Sequence, residues 1–222
     1  MDQTPEHHLH NEDLLSIIPK QSQNLIEVGC SSGALAREFK IINPLCNYYG
    51  IDINPSYAAL ANRYCDHTAA MNIEHVEEMF FEGQKTRDCW VFGDCLEHLQ
   101  DPWKILRKIR GVIPTHGCVV ACIPNAQHWS IQVKLSVGDF RYENSGLLDK
   151  THLRWFTRQT IVELFADTGF KIVEGIPRIF NEPNKEPFIH LIGSLAQAAG
   201  FDAATAINDS LPLQYVVKAI PI

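Results

Sequence analysis

The chain has 222 residues, 45% of them hydrophobic and 20% charged, which is enough for one α/β domain with a substantial core. Its formal net charge of −7 disfavours a polyanionic partner, so nucleic acid is not the expected ligand. No apolar run reaches the length of a membrane span and residues 1–6 are too polar for a signal peptide, so we expect a cytoplasmic protein without membrane contact.

Apolar runs alternate with helical segments along the chain, which predicts a mostly parallel sheet covered by helices on both faces. The predicted strands are residues 25–28, 48–53, 68–73, 89–92, 118–123, 170–173 and 214–219. The predicted helices are residues 11–18, 34–39, 55–64, 102–110, 158–167 and 187–205. Capping residues support several of these ends, such as Asp101 before Pro102 and Gly169 after Asp167.

The most informative motif follows the first predicted strand and reads Glu27-x-Gly29-x-Ser31-x-Gly33. Glycines let the backbone approach a ligand closely, and the start of the following helix offers free N–H donors. The next strand stops at Asp52, whose carboxylate can accept both hydroxyls of a ribose. This pattern predicts a nucleoside-binding unit without the G-x-G-x-x-G fingerprint of NAD enzymes. A tight turn in another α/β protein is the plainer alternative.

With this acidic-x-Gly-x-small-x-Gly motif and the spacing to Asp52, the chain resembles class I S-adenosylmethionine (AdoMet)-dependent methyltransferases. The resemblance implies a Rossmann-like α/β fold with seven strands in the order 3-2-1-4-5-7-6, strand 7 being antiparallel. It also implies AdoMet as the cofactor and S-adenosylhomocysteine as the product. The implied cofactor contacts are Glu27, Gly29, Cys30, Ser31, Gly33, Asp52, Ile53, Asn72, Ile73 and Asp94.

The resemblance divides these contacts between the two ends of the cofactor. Gly29, Ser31 and Gly33 would line the methionine end. Glu27 would hold the turn or reach the ammonium group through water. Asp94 opens the loop after the fourth strand, where such families place an acidic residue near the methyl group.

At the adenosine end, Asp52 would bind the ribose. Asn72 stands where the family often has an acidic residue that accepts from the adenine amino group, and an amide oxygen can accept the same bond without the charge. Ile53 and Ile73 would enclose the adenine ring or belong to the core. Cys30 lies in an apolar run, which is typical of a small core residue.

Residues 125–156 are predicted as a substrate-side insertion, because ligands bind outside the carboxyl ends of parallel strands. Their Thr-His-Leu-Arg-aromatic-Phe-Thr run resembles methyltransferases of the type 11/12 kind from cell-surface sugar and secondary-metabolite pathways. We expect His152, with His128 as a second candidate, to act as a base or to anchor the substrate. The expected substrate contacts are Trp129, Tyr142 and Arg154. The plainer reading is that these side chains hold the insertion in place.

A second resemblance concerns Asp94-x-x-Glu97-His98, which is similar to a motif of ubiquinone-pathway O-methyltransferases and small-RNA 3′-terminal 2′-O-methyltransferases. In those families it helps to bind a divalent cation that grips vicinal substrate oxygens. His128 or His152 would complete a mixed oxygen and nitrogen site for Mg²⁺, Mn²⁺ or Zn²⁺. The same pair also recurs as a structural turn without metal, so a metal is the alternative prediction here.

The sequence therefore predicts one methyltransferase domain over residues 1–222, with a second, helical insertion at about 182–212. That insertion could serve homodimerisation, cover the substrate or decorate the surface. The predicted reaction is methyl transfer from AdoMet to an O or N atom of a small molecule, first a sugar or sugar-like metabolite. Two alternatives are metal-assisted methylation of RNA or a vicinal-oxygen substrate, and a catalytically silent AdoMet-binding subunit that supports a partner.

Overall fold

The structure is a computed structural model that describes residues 8–222, and within them seven strands form one sheet surrounded by nine α-helices. The strands are β1 (Asn24–Val28), β2 (Asn47–Asp52), β3 (His67–Ala70), β4 (Cys89–Gly93), β5 (Cys118–Pro124), β6 (Phe170–Arg178) and β7 (Gln214–Pro221). The helices are α1 (Glu12–Ile17), α2 (Ala34–Ile42), α3 (Pro55–Ala61), α4 (Glu78–Glu82), α5 (Pro102–Val112), α6 (Trp129–Ser136), α7 (Arg158–Asp167), α8 (Glu186–Ala198) and α9 (Ala203–Ser210).

The order of the strands across the sheet is β3-β2-β1-β4-β5-β7-β6. Strands β1 to β5 pair in parallel, whereas β7 is antiparallel to both β5 and β6. This confirms the predicted Rossmann-like order and its antiparallel strand. Because β2 and β4 flank β1 on opposite sides, the connections diverge there and leave a crevice at the carboxyl ends of these strands.

Apolar strands in the centre of the sheet bury both of their faces, which requires helices on each side. One core joins Trp90 and Val119 to residues of α4, α5 and α7, such as Leu106. The other joins Tyr48 and Phe39 to residues of α1, α2 and α3. Burial of each large apolar side chain stabilises the fold by roughly 1.5–3 kcal/mol. The predicted coverage of both faces is confirmed.

The third strand is shorter than the sequence predicted, because it ends at Ala70 and not at residue 73. A turn begins at Asn72, whose Oδ1 accepts from the backbone N–H of Glu74 at 2.9 Å, while its carbonyl accepts from His75 N at 3.0 Å. Asn side chains favour such local turns over a strand. Asn72 and Ile73 therefore lie beyond the strand.

The two insertions contain short helices. Residues 125–156 include α6, which the sequence analysis missed because its only fully buried apolar side chain is Ile131. Residues 182–212 include α8 and α9, which pack closely at Gly193: a Cβ there would lie 2.8 Å from Ile207 Cδ1. Among the helices within residues 8–222, none combines the length and apolar character that crossing a bilayer requires.

Candidate functional site

The turn after β1 has glycines at two positions where any other residue would be strained. Gly29 and Gly33 have φ values of 81° and 80°, and Ser31 between them also has a positive φ of 47°. A Cβ on Gly29 would lie 3.3 Å from Cys95 Cβ, and one on Gly33 would lie 2.9 Å from Ala61 Cα. The glycines therefore let this turn, α3 and the loop after β4 approach one another.

Asp52 lies at the carboxyl end of β2, directly beside this turn. Its Oδ2 accepts from Ser31 N and its Oδ1 from Asn54 N, each at 2.8 Å. Burial raises the pKa of Asp52, and the two backbone N–H groups oppose that rise. Each carboxylate oxygen has two lone-pair sites, so each retains capacity for a hydroxyl donor. Ile53 is 46% exposed and offers an apolar surface next to the carboxylate.

Three of the expected cofactor contacts have side chains in the core instead of the crevice. Glu27 is 4% exposed and accepts from the Tyr48 hydroxyl at 2.7 Å. The Cys30 thiol is buried and packs near Gly50, so only the backbone of Cys30 lies in the turn. Ile73 is buried among the core side chains around α4. Glu27 thus links the β1 and β2 strands through its hydrogen bond with Tyr48.

Replacing Glu27 with glutamine is expected to stabilise the protein at alkaline pH. Burial raises the pKa of Glu27 to about 8, so between about pH 4.5 and 8 the folded state binds a proton that the unfolded state releases. Glu27 therefore costs the folded state no stability below about pH 4.5, and its destabilising effect increases as the pH rises toward 8. Glu27→Gln keeps an acceptor for Tyr48 without titrating. Urea unfolding should give wild type and Glu27→Gln similar free energies of unfolding at pH 5, and the variant a gain of up to about 4 kcal/mol at pH 8. The same change of unfolding free energy with pH in both proteins would contradict this prediction.

Asp94 follows β4 in the left-handed region, with a φ of 50°. Its Oδ1 accepts a hydrogen bond from the side-chain amide of Gln214 and lies 3.4 Å from Cys122 Sγ. This one carboxylate oxygen therefore faces β5 and β7. Asp94 lies outside the candidate cation group that contains Glu97, so this grouping does not support the Asp94-based metal site suggested by the sequence motif.

Glu97 is 1% exposed, in the single 3₁₀ turn Leu96–His98, although charged residues in turns are usually solvated. Within residues 8–222 neither of its carboxylate oxygens has a hydrogen-bond partner. The Nε2 atoms of His98 and His152 each lie 3.9 Å from Glu97 Oε1. One ligand atom from each of these three residues falls within 4.8 Å of the others, so the structure joins His152 to the predicted Glu-His pair.

The contacts at the outer faces of the two histidines determine their tautomers. The Thr151 hydroxyl donates to Asp149 Oδ1 at 2.7 Å, so it can only accept from His98 Nδ1 at 3.1 Å. His152 Nδ1 contacts the carbonyl of Leu147 at 3.3 Å, which also only accepts. Both Nδ1 atoms therefore carry hydrogen, and in the neutral rings both Nε2 lone pairs face Glu97.

Burial and neighbouring charges change the acidity of two groups in this cluster. Burial, together with the charges of Asp94 and Asp149, holds the pKa of Glu97 well above its usual range. Burial and the neighbouring His98 lower the pKa of His152. Once Glu97 releases its proton, its carboxylate and the two imidazole lone pairs form a donor set that divalent cations accept. The residues present therefore fit a divalent cation.

His128 and Trp129 attach the two insertions to each other. His128 is 1% exposed, with Nδ1 2.8 Å from Ser130 Oγ and Nε2 3.1 Å from Glu182 Oε2, an ion-pair distance without good hydrogen-bond alignment. Burial lowers the pKa of His128, and Glu182 opposes this. Trp129 Nε1 donates to Glu182 at 2.7 Å, and its ring stacks on Phe188 at 5.7 Å. These contacts support the interpretation that His128 and Trp129 hold the insertion in place.

The other two expected substrate contacts are on the surface. Tyr142 is 61% exposed and forms an aromatic group with Phe140 and Trp155, whose ring centroids are 6.2–6.5 Å apart. The backbone N–H of Arg154 donates to Glu97 O at 3.0 Å, and its guanidinium donates to the carbonyl of Gln100. Arg154 therefore fastens the insertion to the loop after β4.

The fold and the turn define a class of protein. Seven strands in this order, glycines after β1 and a buried acid at the end of β2 are the features of a class I, AdoMet-dependent methyltransferase. The sequence profile of a family described as a methyltransferase domain matches residues 7–175, and the chain belongs to that family.

Solved structures show the same fold at low identity. A chain of the complex between the Trm112 methyltransferase activator of Haloferax volcanii and a methyltransferase is 13% identical, with a TM-score of 0.63, over 95% of this chain and 88% of that one. A protein assigned as an AdoMet-dependent methyltransferase from Listeria monocytogenes is 12% identical, with a TM-score of 0.63, over 95% and 97%. NcsB1, an O-methyltransferase of neocarzinostatin biosynthesis, is 12% identical with a TM-score of 0.57; the chain spans 52% of it. A search of curated proteins finds no sequence that matches.

Proposed function

We propose that this protein transfers the methyl group of AdoMet to an oxygen atom of a small, sugar-like molecule, with a nitrogen acceptor as the less favoured form of the reaction. Membership of the methyltransferase-domain family supports the reaction class. NcsB1, which has the same fold, was solved with AdoMet and a hydroxylated naphthoic acid, which supports a small-molecule acceptor.

The residues at the carboxyl edge of the sheet fit AdoMet. Asp52 would accept from the ribose hydroxyls, and the exposed face of Ile53 would contact the adenine. The backbone of Gly29 and Ser31 would contact the methionine portion, with the Asp94 carboxylate nearby. When bound, AdoMet supplies an electrophilic methyl group on a sulfonium ion. The protein then has to position the acceptor and remove its proton.

The observation that carries the proposal is the buried Glu97 carboxylate facing two histidine Nε2 atoms without a hydrogen-bond partner in the described chain. We assign to Glu97, His98 and His152 a divalent-cation site at the substrate side of the crevice. A bound cation would supply positive charge that binds vicinal oxygens and lowers the pKa of a hydroxyl. His152 thus acts at the reaction centre as a ligand, and its role as a free base becomes the alternative.

The substrate class follows from the same region. Vicinal hydroxyls of a sugar suit a hard cation. The exposed rings of Tyr142 and Trp155 offer an apolar face on which a sugar ring can pack. RNA also presents vicinal hydroxyls, but the net charge of −7 disfavours it. The other alternative is a catalytically silent subunit that needs a partner. A chain of the complex with the Trm112 activator has the same fold, so the test below also covers this alternative.

The test is release of S-adenosylhomocysteine from AdoMet with a panel of sugars, nucleotide sugars, phenols, amines and a short RNA. Turnover is expected with a vicinal diol, loss of that turnover in EDTA, and recovery on adding Mn²⁺ or Mg²⁺. Turnover that survives EDTA, with the protein confirmed free of metal by elemental analysis, would contradict the cation assignment. AdoMet binding without turnover on any substrate would instead favour the silent subunit.

A further inference from the structure

A line of four polar side chains connects α1 to the loop after β4. Arg178 Nε donates to Asp13 Oδ2 at 2.8 Å, and a terminal nitrogen of the same guanidinium donates to Gln214 Oε1. The Gln214 amide nitrogen donates in turn to Asp94 Oδ1. Arg178 ends β6 and Gln214 begins β7, so these side chains lie at the same edge of the sheet as the proposed AdoMet site.

The two charged ends of this line determine the orientation of the Gln214 amide. Its oxygen must face the guanidinium of Arg178, which only donates, and its nitrogen must face the carboxylate of Asp94, which only accepts. A flipped amide would place donors against donors and acceptors against the carboxylate. Gln214 therefore transmits the position of Arg178 to Asp94 through one defined geometry.

Asp94 needs such support because its backbone is in the left-handed region, with a φ of 50°. That conformation is less favourable for aspartate than for glycine, and hydrogen bonds to the side chain help to hold it. The neighbouring Gly93 packs under α1, since a Cβ on it would lie 3.1 Å from Leu14 Cδ2. The loop after β4 thus packs against α1 and accepts a hydrogen bond from Gln214.

We propose that Gln214 and Arg178 are positioning residues that aim the Asp94 carboxylate at the sulfonium end of AdoMet. The inference rests on the proposed function and extends it to a preference between ligands. AdoMet carries a positive charge on sulfur, whereas S-adenosylhomocysteine does not. A correctly placed carboxylate favours the cation, which helps the protein to retain the methyl donor and release the product.

The test is calorimetric titration of the whole protein with AdoMet and with S-adenosylhomocysteine, for wild type and for Gln214→Leu. The variant is expected to weaken AdoMet binding about tenfold, the usual effect of losing a hydrogen bond to a charged group, and S-adenosylhomocysteine binding less than about threefold. In the Asp94→Asn background, Gln214→Leu should add little, because both changes act through the same carboxylate.

Two further variants keep the test independent of folding. Arg178→Leu leaves Gln214 in place and should shift the ligand preference in the same direction. Arg158→Leu is the matched control, because it breaks another arginine–aspartate pair, the 2.7 Å contact to Asp209, in which neither Gln214 nor Asp94 takes part; its ligand preference should equal that of wild type. Equal weakening of both ligands, or no change, in Gln214→Leu and Arg178→Leu would overturn this inference alone. Failure of wild type to bind AdoMet would overturn the proposed function as well.

Discussion

Replacing Glu97 with glutamine is expected to remove divalent-cation binding and, with it, methyl transfer. The substitution keeps the shape of the side chain but removes the charge that would neutralise a cation beside His98 and His152. Changing a partner outside the ligand shell commonly costs about 10–100-fold in metal affinity, so loss of a ligand should exceed about 100-fold. The protein itself should not be destabilised, because Glu97 has no hydrogen-bond partner to lose within residues 8–222.

Calorimetric titration with Mn²⁺ measures the loss of cation binding directly. Wild-type affinity should increase with pH, because burial raises the pKa of Glu97 and its proton must leave before a cation binds. His116→Ala serves as the control for adventitious binding, since this histidine is exposed in the loop before β5. Undiminished Mn²⁺ binding by Glu97→Gln in a folded sample would rule out the assigned site.

The second large effect is expected at Asp52, where asparagine should weaken AdoMet binding by about 10²–10⁴-fold. Two hydrogen bonds to a charged acceptor contribute about 1.5–3 kcal/mol each, and the amide of asparagine would also oppose the N–H of Ser31 or Asn54. The loss should affect AdoMet and S-adenosylhomocysteine alike, because both contain the same ribose.

Asp88→Asn provides the matched control for Asp52. Asp88 likewise accepts from two backbone N–H groups, those of Gln23 and Asn24, but at the opposite edge of the sheet. Both variants should lose comparable stability, and only Asp52→Asn should lose the cofactor. Cofactor affinity within threefold of wild type in Asp52→Asn would show that the nucleoside binds elsewhere.

The positions of the proposed cofactor residues in the fold could be predicted from sequence because their signals are local. Gly29, Gly33 and Asp52 stand where predicted strands end, and the carboxyl ends of parallel strands meet at one edge. The same reasoning failed at residues 71–73, since the strand propensity there competes with a turn that the Asn72 side chain stabilises. It also could not show that Glu27 is buried against Tyr48.

The proposed cation site depends on contacts between distant segments, which one sequence cannot reveal. Nothing near Glu97 indicates that residues 147–154 cover it and exclude water. Asp149 and Thr151 were missed for the same reason: they resemble an ordinary turn in sequence, yet they determine the tautomer of His98, more than fifty residues earlier. Asp94 was included in the metal motif on spacing alone, whereas its φ of 50° turns it toward Gln214.

The most direct test of the central claim is a crystal structure grown with S-adenosylhomocysteine and Mn²⁺, with anomalous data collected for manganese. We expect the ribose hydroxyls on Asp52 and one anomalous peak bounded by Glu97, His98 and His152. A nucleoside bound away from the turn at Gly29, or manganese absent from Glu97 at saturating concentration, would contradict the account.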